Sequence, residues 1–143
     1  MAALFYDTVH AVNRRDYGPE QLDAWAPELR TGEQWRARQA GKRVTVAVEG
    51  ERVVGFAELD PGGHLDCFYT HKDRQGRGVG TLLLAEVERQ ARDEGCAALA
   101  ADVSITARGF FERRGFRLVT EQQVLRRGVS LINFRMEKAL SPE

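Results

Sequence analysis

Residues 64–95 read HLDCFYTHKDRQGRGVGTLLLAEVERQARDEG, and the order of chemistry along this stretch decides the fold. His64–Thr70 mixes apolar and polar positions as a strand does. Beyond it, Leu83, Val87 and Ala91 recur on one face of a helix, Glu88 and Arg92 stand four apart on its outer side, and Gly95 stops it. Between strand and helix lies Gln75-Gly76-Arg77-Gly78-Val79-Gly80. Glycine lets backbone come close to a ligand, and a helix N-terminus aims free N–H groups at whatever sits there. An exposed helix terminus contributes only about 0.3–1 kcal/mol toward one charged group, so several N–H donors must converge to hold a pyrophosphate, with Arg74 and Arg77 adding charge. The spacing is not the GxxxxGK[ST] of a P-loop. Nor is it a dinucleotide fingerprint, which expects an opening βαβ unit. Taken alone, the six residues also read as a flexible strand-to-helix turn.

Upstream, Val44–Val48 is β-branched or small, Glu49-Gly50-Glu51 turns the chain into Arg52–Leu59, and Pro61-Gly62-Gly63 turns it again, which makes an antiparallel three-stranded meander. Before it come three short helices. The first carries Phe5, Val9 and Val12 on one face. The second starts at Pro19 with Leu22 and Trp25, and the third holds Trp35 behind a Thr31–Gln34 capping box and stops at Gly41. Downstream, the apolar run Ala97–Val103 reads as a buried strand reached by a parallel crossover. Ser104 caps a short helix from Ile105 to Arg113, closed by Gly115, and Phe116–Leu125 and Val129–Met136 form a final hairpin around Arg126-Arg127-Gly128. The expected fold is one mixed α/β (α+β) domain over residues 1–143: a helical region (1–41), a meander (44–70), the turn and helix (75–94), and a strand, helix and hairpin (97–138), all in one sheet.

With 143 residues, 43% hydrophobic and 29% charged, the chain suits one core without disulfides or metal. Lysine plus arginine and aspartate plus glutamate number 21 each, so no global charge draws it to nucleic acid or to an anionic membrane. No run approaches the roughly 20 apolar residues of a membrane span. Cys67 and Cys96 lack CxxC spacing and no leader is evident, which points to a reducing cytoplasm. His10, His64 and His71 lack metal-ligand spacing, so no metal is expected. Cys67 reads as a small buried hydrophobe, with a covalent acyl carrier as the less favoured role.

The chain resembles the GNAT superfamily of acyl-CoA-dependent N-acyltransferases. Gln75, Gly78 and Gly80 match its Q/R-x-x-G-x-G/A motif after Phe68-Tyr69-Thr70-His71. Ala107, Phe110, Phe111, Glu112, Gly115 and Phe116 in ITARGFFERRGF match its second motif. The likeness spans about Val44 to Lys138, and LFYDTV and DYGPEQLDAWAP look like one bacterial branch. The family fold normally opens with a strand, whereas this chain opens at or within the first helix.

The resemblance implies an N-acetyltransferase moving an acetyl group from acetyl-CoA to a primary amine of a small molecule or peptide, by direct attack in a ternary complex. The cofactor would lie in a splayed gap between His64–Thr70 and Ala97–Val103. Backbone near Phe68, Tyr69 and Thr70 would polarise the thioester, and Gln75, Gly76, Arg77, Gly78, Val79, Gly80 and Thr81 would hold the pyrophosphate. Ser104, Phe110 and Phe111 would complete the cofactor site, Ser104 standing where an asparagine often does. Glu58 is the first candidate for the base, with Asp60 and Asp66 as competitors. Phe111 replaces the tyrosine that often protonates the leaving thiolate, so Tyr69 is the nearest substitute. Tyr6, Tyr17, Trp25 and Trp35 gather in helices that roof the acceptor site, where core packing is the competing role. Phe111 also admits a non-catalytic acetyl-CoA sensor, and the sheet edge or last hairpin admits a homodimer.

Overall fold

A computed structural model describes residues Met1–Leu140. The meander forms as its turns dictate: β1 (Arg43–Glu49), β2 (Arg52–Asp60) and β3 (His64–Thr70) pair antiparallel in order. Helix α4 (Val79–Asp93) carries the chain across to β4 (Ala98–Ser104), which pairs parallel with β3. After α5 (Arg108–Arg113), β5 (Arg117–Arg126) and β6 (Val129–Ala139) close a hairpin whose Arg127 and Gly128 both have positive φ, as a two-residue type I′ turn requires. The last strand inserts beside β4, giving the order β1-β2-β3-β4-β6-β5. Strand order of this kind leaves no trace in local pattern; Phe134 and Met136 bury themselves against Leu99 and Val103 in the core under α4 and α5.

The N-terminal helices are α1 (Ala2–Ala11), α2 (Pro19–Trp25) and α3 (Gly32–Arg38). Both arms of the Thr31–Gln34 capping box are present, at 3.1 and 2.9 Å. The α1 face differs from the Phe5, Val9, Val12 stripe: Leu4, Thr8 and Val9 are the buried residues. The reason is a polar contact, since the Thr8 hydroxyl donates to the Thr70 carbonyl at 3.0 Å and draws that face onto β3. Tyr17 ties the helical region to the other end of the chain, its hydroxyl donating to the Ile132 carbonyl at 2.6 Å and accepting from the Ile105 N–H at 2.9 Å.

Two local expectations change. Glu88 is not on the outer side of α4 but buried, ion-paired with Lys138 of β6 at 2.6 Å. Ile105 to Ala107 is a turn and not the first turn of α5, although Ser104 Oγ does accept from the Ala107 N–H at 3.1 Å. Among the described residues no helix is long and apolar enough to cross a membrane.

Candidate active site

Gly78 stands at φ +82° and ψ −1° as the N-cap of α4, a left-handed conformation that costs other residues roughly 1 kcal/mol or more. The first intrahelical bond runs from the Leu82 N–H to the Gly78 carbonyl, so the N–H groups of Val79, Gly80 and Thr81 point out of the helix. A Cβ on Gly80 would lie 2.8 Å from the Phe110 ring, so glycine there lets α5 close against the mouth of α4. The Gln75 side chain bonds inward, donating to the Thr70 carbonyl and hydroxyl at 2.9 and 2.7 Å, and pins the loop to the end of β3.

A bulge governs the sheet beside this turn. Glu58 faces Cys67 but Leu59 faces Leu65, so Asp66 is the extra residue of β3. A bulge bends its strand. Strands β3 and β4 pair only at His64–Ala100 and Leu65–Ala101, then part where Asp66 begins. Backbone of Cys67–Thr70 on the β4 side is therefore left without a strand partner.

Three cavities meet at this gap. The largest, about 560 Å³, takes in every expected cofactor residue except one: Phe68, Tyr69 and Thr70 of β3, Gln75, Gly76 and Gly78 to Thr81 of the turn, Ser104, Phe110 and Phe111. Arg77 is the exception; it is exposed and lines none of the cavities. Arg74 does line the largest one, but it is held by Glu49 at 2.9 and 3.0 Å. Its basic wall comes instead from Arg15, Arg113 and Arg114, of which Arg114 lies 3.7 Å over the Phe110 ring and donates to Thr81 Oγ1 at 2.6 Å. Arg113 and Arg114 lie within the second motif, between Glu112 and Gly115, and could have been singled out there; nothing local marks Arg15. A small space of about 70 Å³ occupies the gap itself, and a third cavity of about 280 Å³ lies beyond it under α2 and the β5–β6 hairpin. Only Tyr69 and Ser104 line both the first and the third.

Glu58 is not at a cavity wall. It has no exposed surface, and its oxygens accept from Arg38 Nη1 at 2.5 Å and Gln39 Nε2 at 2.8 Å, with Lys42 Nζ at 3.6 Å. A carboxylate so committed lines none of these cavities, unlike the open proton acceptor expected of it. Its strand position faces inward because the end of α3 brings Arg38 and Gln39 over it. Asp66 does line the third cavity; burial raises its carboxyl, but the Lys42 and Arg38 charges outweigh that and hold it below the usual carboxylate range. Arg38 Nη2 also lies 2.8 Å from Cys67 Sγ, whose thiol burial, with Glu58 adding to it, pushes up to about 12. Burial of this kind disfavours the thiolate that a nucleophile needs, in keeping with the small buried hydrophobe expected of Cys67. Glu58, Asp66 and Cys67 already enclose two cations in Arg38 and Lys42.

His64, which sequence spacing marks only as an unsuitable metal ligand, faces the third cavity with Nδ1 3.4 Å from Asp60 and Nε2 3.5 Å from Asp102. Burial pushes the Tyr69 phenol far up, so the hydroxyl keeps its proton. Of the aromatic set, Tyr17 and Trp25 line the third cavity, Trp35 is 2% exposed in the core, and Tyr6 packs on His10 at 4.4 Å. Phe111 is buried against Phe68 and Phe116.

Residues 13–138 match the model of the acetyltransferase (GNAT) domain. The chain belongs to this family. It is thereby an acyltransferase that depends on acetyl-CoA. The GNAT chain is 32% identical over 136 residues to the uncharacterized N-acetyltransferase YafP of Escherichia coli (strain K12), covering 95% of this chain and 85% of that one. The crystal structure of a GCN5-related N-acetyltransferase described as "Aminotransferase, Class-II", from Rhodopseudomonas palustris, superposes with a TM-score of 0.92 at 34% identity over 97% of this chain and 87% of that one. The PaiA N-acetyltransferase of Thermoplasma acidophilum, solved in complex with coenzyme A, shares the fold at 18% identity, with a TM-score of 0.73 over 96% and 89%.

Proposed function

We propose that this GNAT enzyme acetylates a primary amine of a small molecule or peptide by direct attack within a ternary complex. One arrangement supports the reading. A donor-side cavity with outward helix N–H groups and an acceptor-side cavity touch only where Tyr69 and Ser104 line both, at the gap opened by the Asp66 bulge. Two reactants seated there would meet without leaving the protein.

Bound acetyl-CoA supplies the thioester carbonyl that the amine attacks. The N–H groups of Val79, Gly80 and Thr81 hold its pyrophosphate, with Arg15 and Arg113 adding charge. The unpaired edge of Cys67–Thr70 takes the pantetheine as an added strand and turns a backbone N–H toward the carbonyl oxygen. The incoming amine is a nucleophile only when neutral. His64, which lies between Asp60 and Asp102 on the wall of the acceptor-side cavity, accepts its proton directly or through water. Tyr69, which burial keeps protonated, donates a hydrogen bond to the departing sulfur.

The test is calorimetric titration of the purified chain with acetyl-CoA and CoA, then thiol release over pooled amines. Saturable binding with release on an amine supports the proposal; binding without release on any amine supports a sensor and overturns it. His64→Gln should then lower kcat while acetyl-CoA affinity is kept, and an unchanged kcat would move the base to Asp60, Asp66 or water alone.

A further inference from the structure

The acceptor-side cavity is unbalanced in charge. Its acidic groups are already matched: Asp66 by Lys42 and Arg38, and Asp102 by His64 and by Arg135 at 3.7 Å. Of its four arginines, Arg38 is matched by Glu58 and Asp66, and the other three are not. Arg30 lies 5.5 Å over the Trp35 ring, Arg126 Nη1 donates to the Leu125 carbonyl at 3.1 Å, and Arg127 Nη1 donates to the Ala24 carbonyl at 2.8 Å. Among the described residues none of these three guanidiniums has a carboxylate within ion-pair distance, yet all three face one cavity of about 280 Å³. A guanidinium is always charged and presents a fork that fits a carboxylate or phosphate.

The charges are also placed in order. Asp66 and Asp102 line the gap where acyl transfer would occur, and His64 lines the same acceptor-side cavity where the strands are still paired. Arg126 and Arg127 form the tip of the β5–β6 hairpin, and the first residue of β6 after that tip is four positions from Asn133, which pairs with Ser104. At about 3.3 Å per residue that is roughly 13 Å of strand. An acceptor with its amine at the gap therefore lays its other end toward Arg126 and Arg127, with Arg30 on the wall of the same cavity.

Resting on the acetyl-transfer reading, we infer that the acceptor is a primary amine that also bears an oxyanion, a carboxylate or a phosphate, bound by Arg126, Arg127 and Arg30. The same charge pattern selects against polyamines and other multiply cationic amines, whose second charge would face the arginines.

The experiment measures thiol release from acetyl-CoA with matched amines of several chain lengths, each as the carboxylate, the phosphonate and the uncharged carboxamide, beside spermidine. The expected result is a kcat/KM about tenfold or more higher for an anionic member than for its carboxamide, with spermidine poorest. Whether carboxylate or phosphonate leads identifies the oxyanion. Arg126→Gln should erase most of this preference through KM, with kcat and acetyl-CoA affinity kept, and Arg30→Gln, on a different element, should reproduce it in part. Carboxamides or spermidine used as well as the anions would overturn the inference and leave acetyl transfer standing. Bound acetyl-CoA with no release on any amine would overturn both.

Discussion

The Tyr69 hydroxyl is the polar group that both large cavities share besides Ser104, and its chemistry follows from where it lies. Phe5 and Phe56 pack its ring at 5.0 and 5.8 Å, which fixes its direction and keeps its proton in place. Tyr69→Phe should lower kcat about ten- to a hundredfold while acetyl-CoA affinity is kept, because only a hydrogen bond to the developing thiolate is removed. An unchanged kcat with a slow-leaving donor would end that role. Glu58 gives the opposite expectation. Glu58→Gln leaves Arg38 without its buried partner and should cost about 3 kcal/mol in urea unfolding. The pH dependence of turnover should stay as in the parent, since Glu58 reaches neither cavity; a shifted profile would restore it as a base. Sequence placed Glu58 on the right strand but could not see that α3 would cover it, because the covering residues Arg38 and Gln39 are about 20 positions away.

At the scale of elements, what was legible was what local chemistry decides. The capping box of α3, the meander turns, the Gln75–Thr81 turn and the hairpin tip all formed as their residues require. What was not legible depends on pairing between distant segments: the Asp66 bulge, the insertion of β6 beside β4, and the delivery of Arg15 from the N-terminal region to the donor side. The turn itself gives two separable tests. Gly78→Glu should abolish acetyl-CoA binding in calorimetry, since it combines a left-handed φ with a carboxylate among the anion-binding N–H groups. Gly80→Ala should instead lower thermal stability by about 1–3 kcal/mol, because its Cβ meets the Phe110 ring at 2.8 Å and α5 must shift. Unchanged affinity in the first variant would contradict a pyrophosphate at this turn, and unchanged melting in the second would contradict close packing of α5 on α4.

At the scale of the whole molecule, the buried cluster under α3 sets a pH limit. Cys67 titrates near 9.0 when unfolded and at about 12 when folded. Below about pH 9 both states keep the proton, and above it the unfolded chain loses the proton first, so stability falls as pH rises through that window. The loss is at most about 4 kcal/mol, at 1.36 kcal/mol per unit. Urea unfolding at about pH 8 and about pH 11 should show a steeper loss for the parent than for Cys67→Ala. Equal slopes would mean that the thiol is not part of the limit. The two large cavities have only Tyr69 and Ser104 in common. In hereditary terms, the chain carries two nearly independent traits on one scaffold. On the proposed reading, substitutions at the hairpin tip can drift toward a new substrate while the lining of the donor cavity is inherited intact, so a descendant need never pass through an inactive ancestor to change what it modifies.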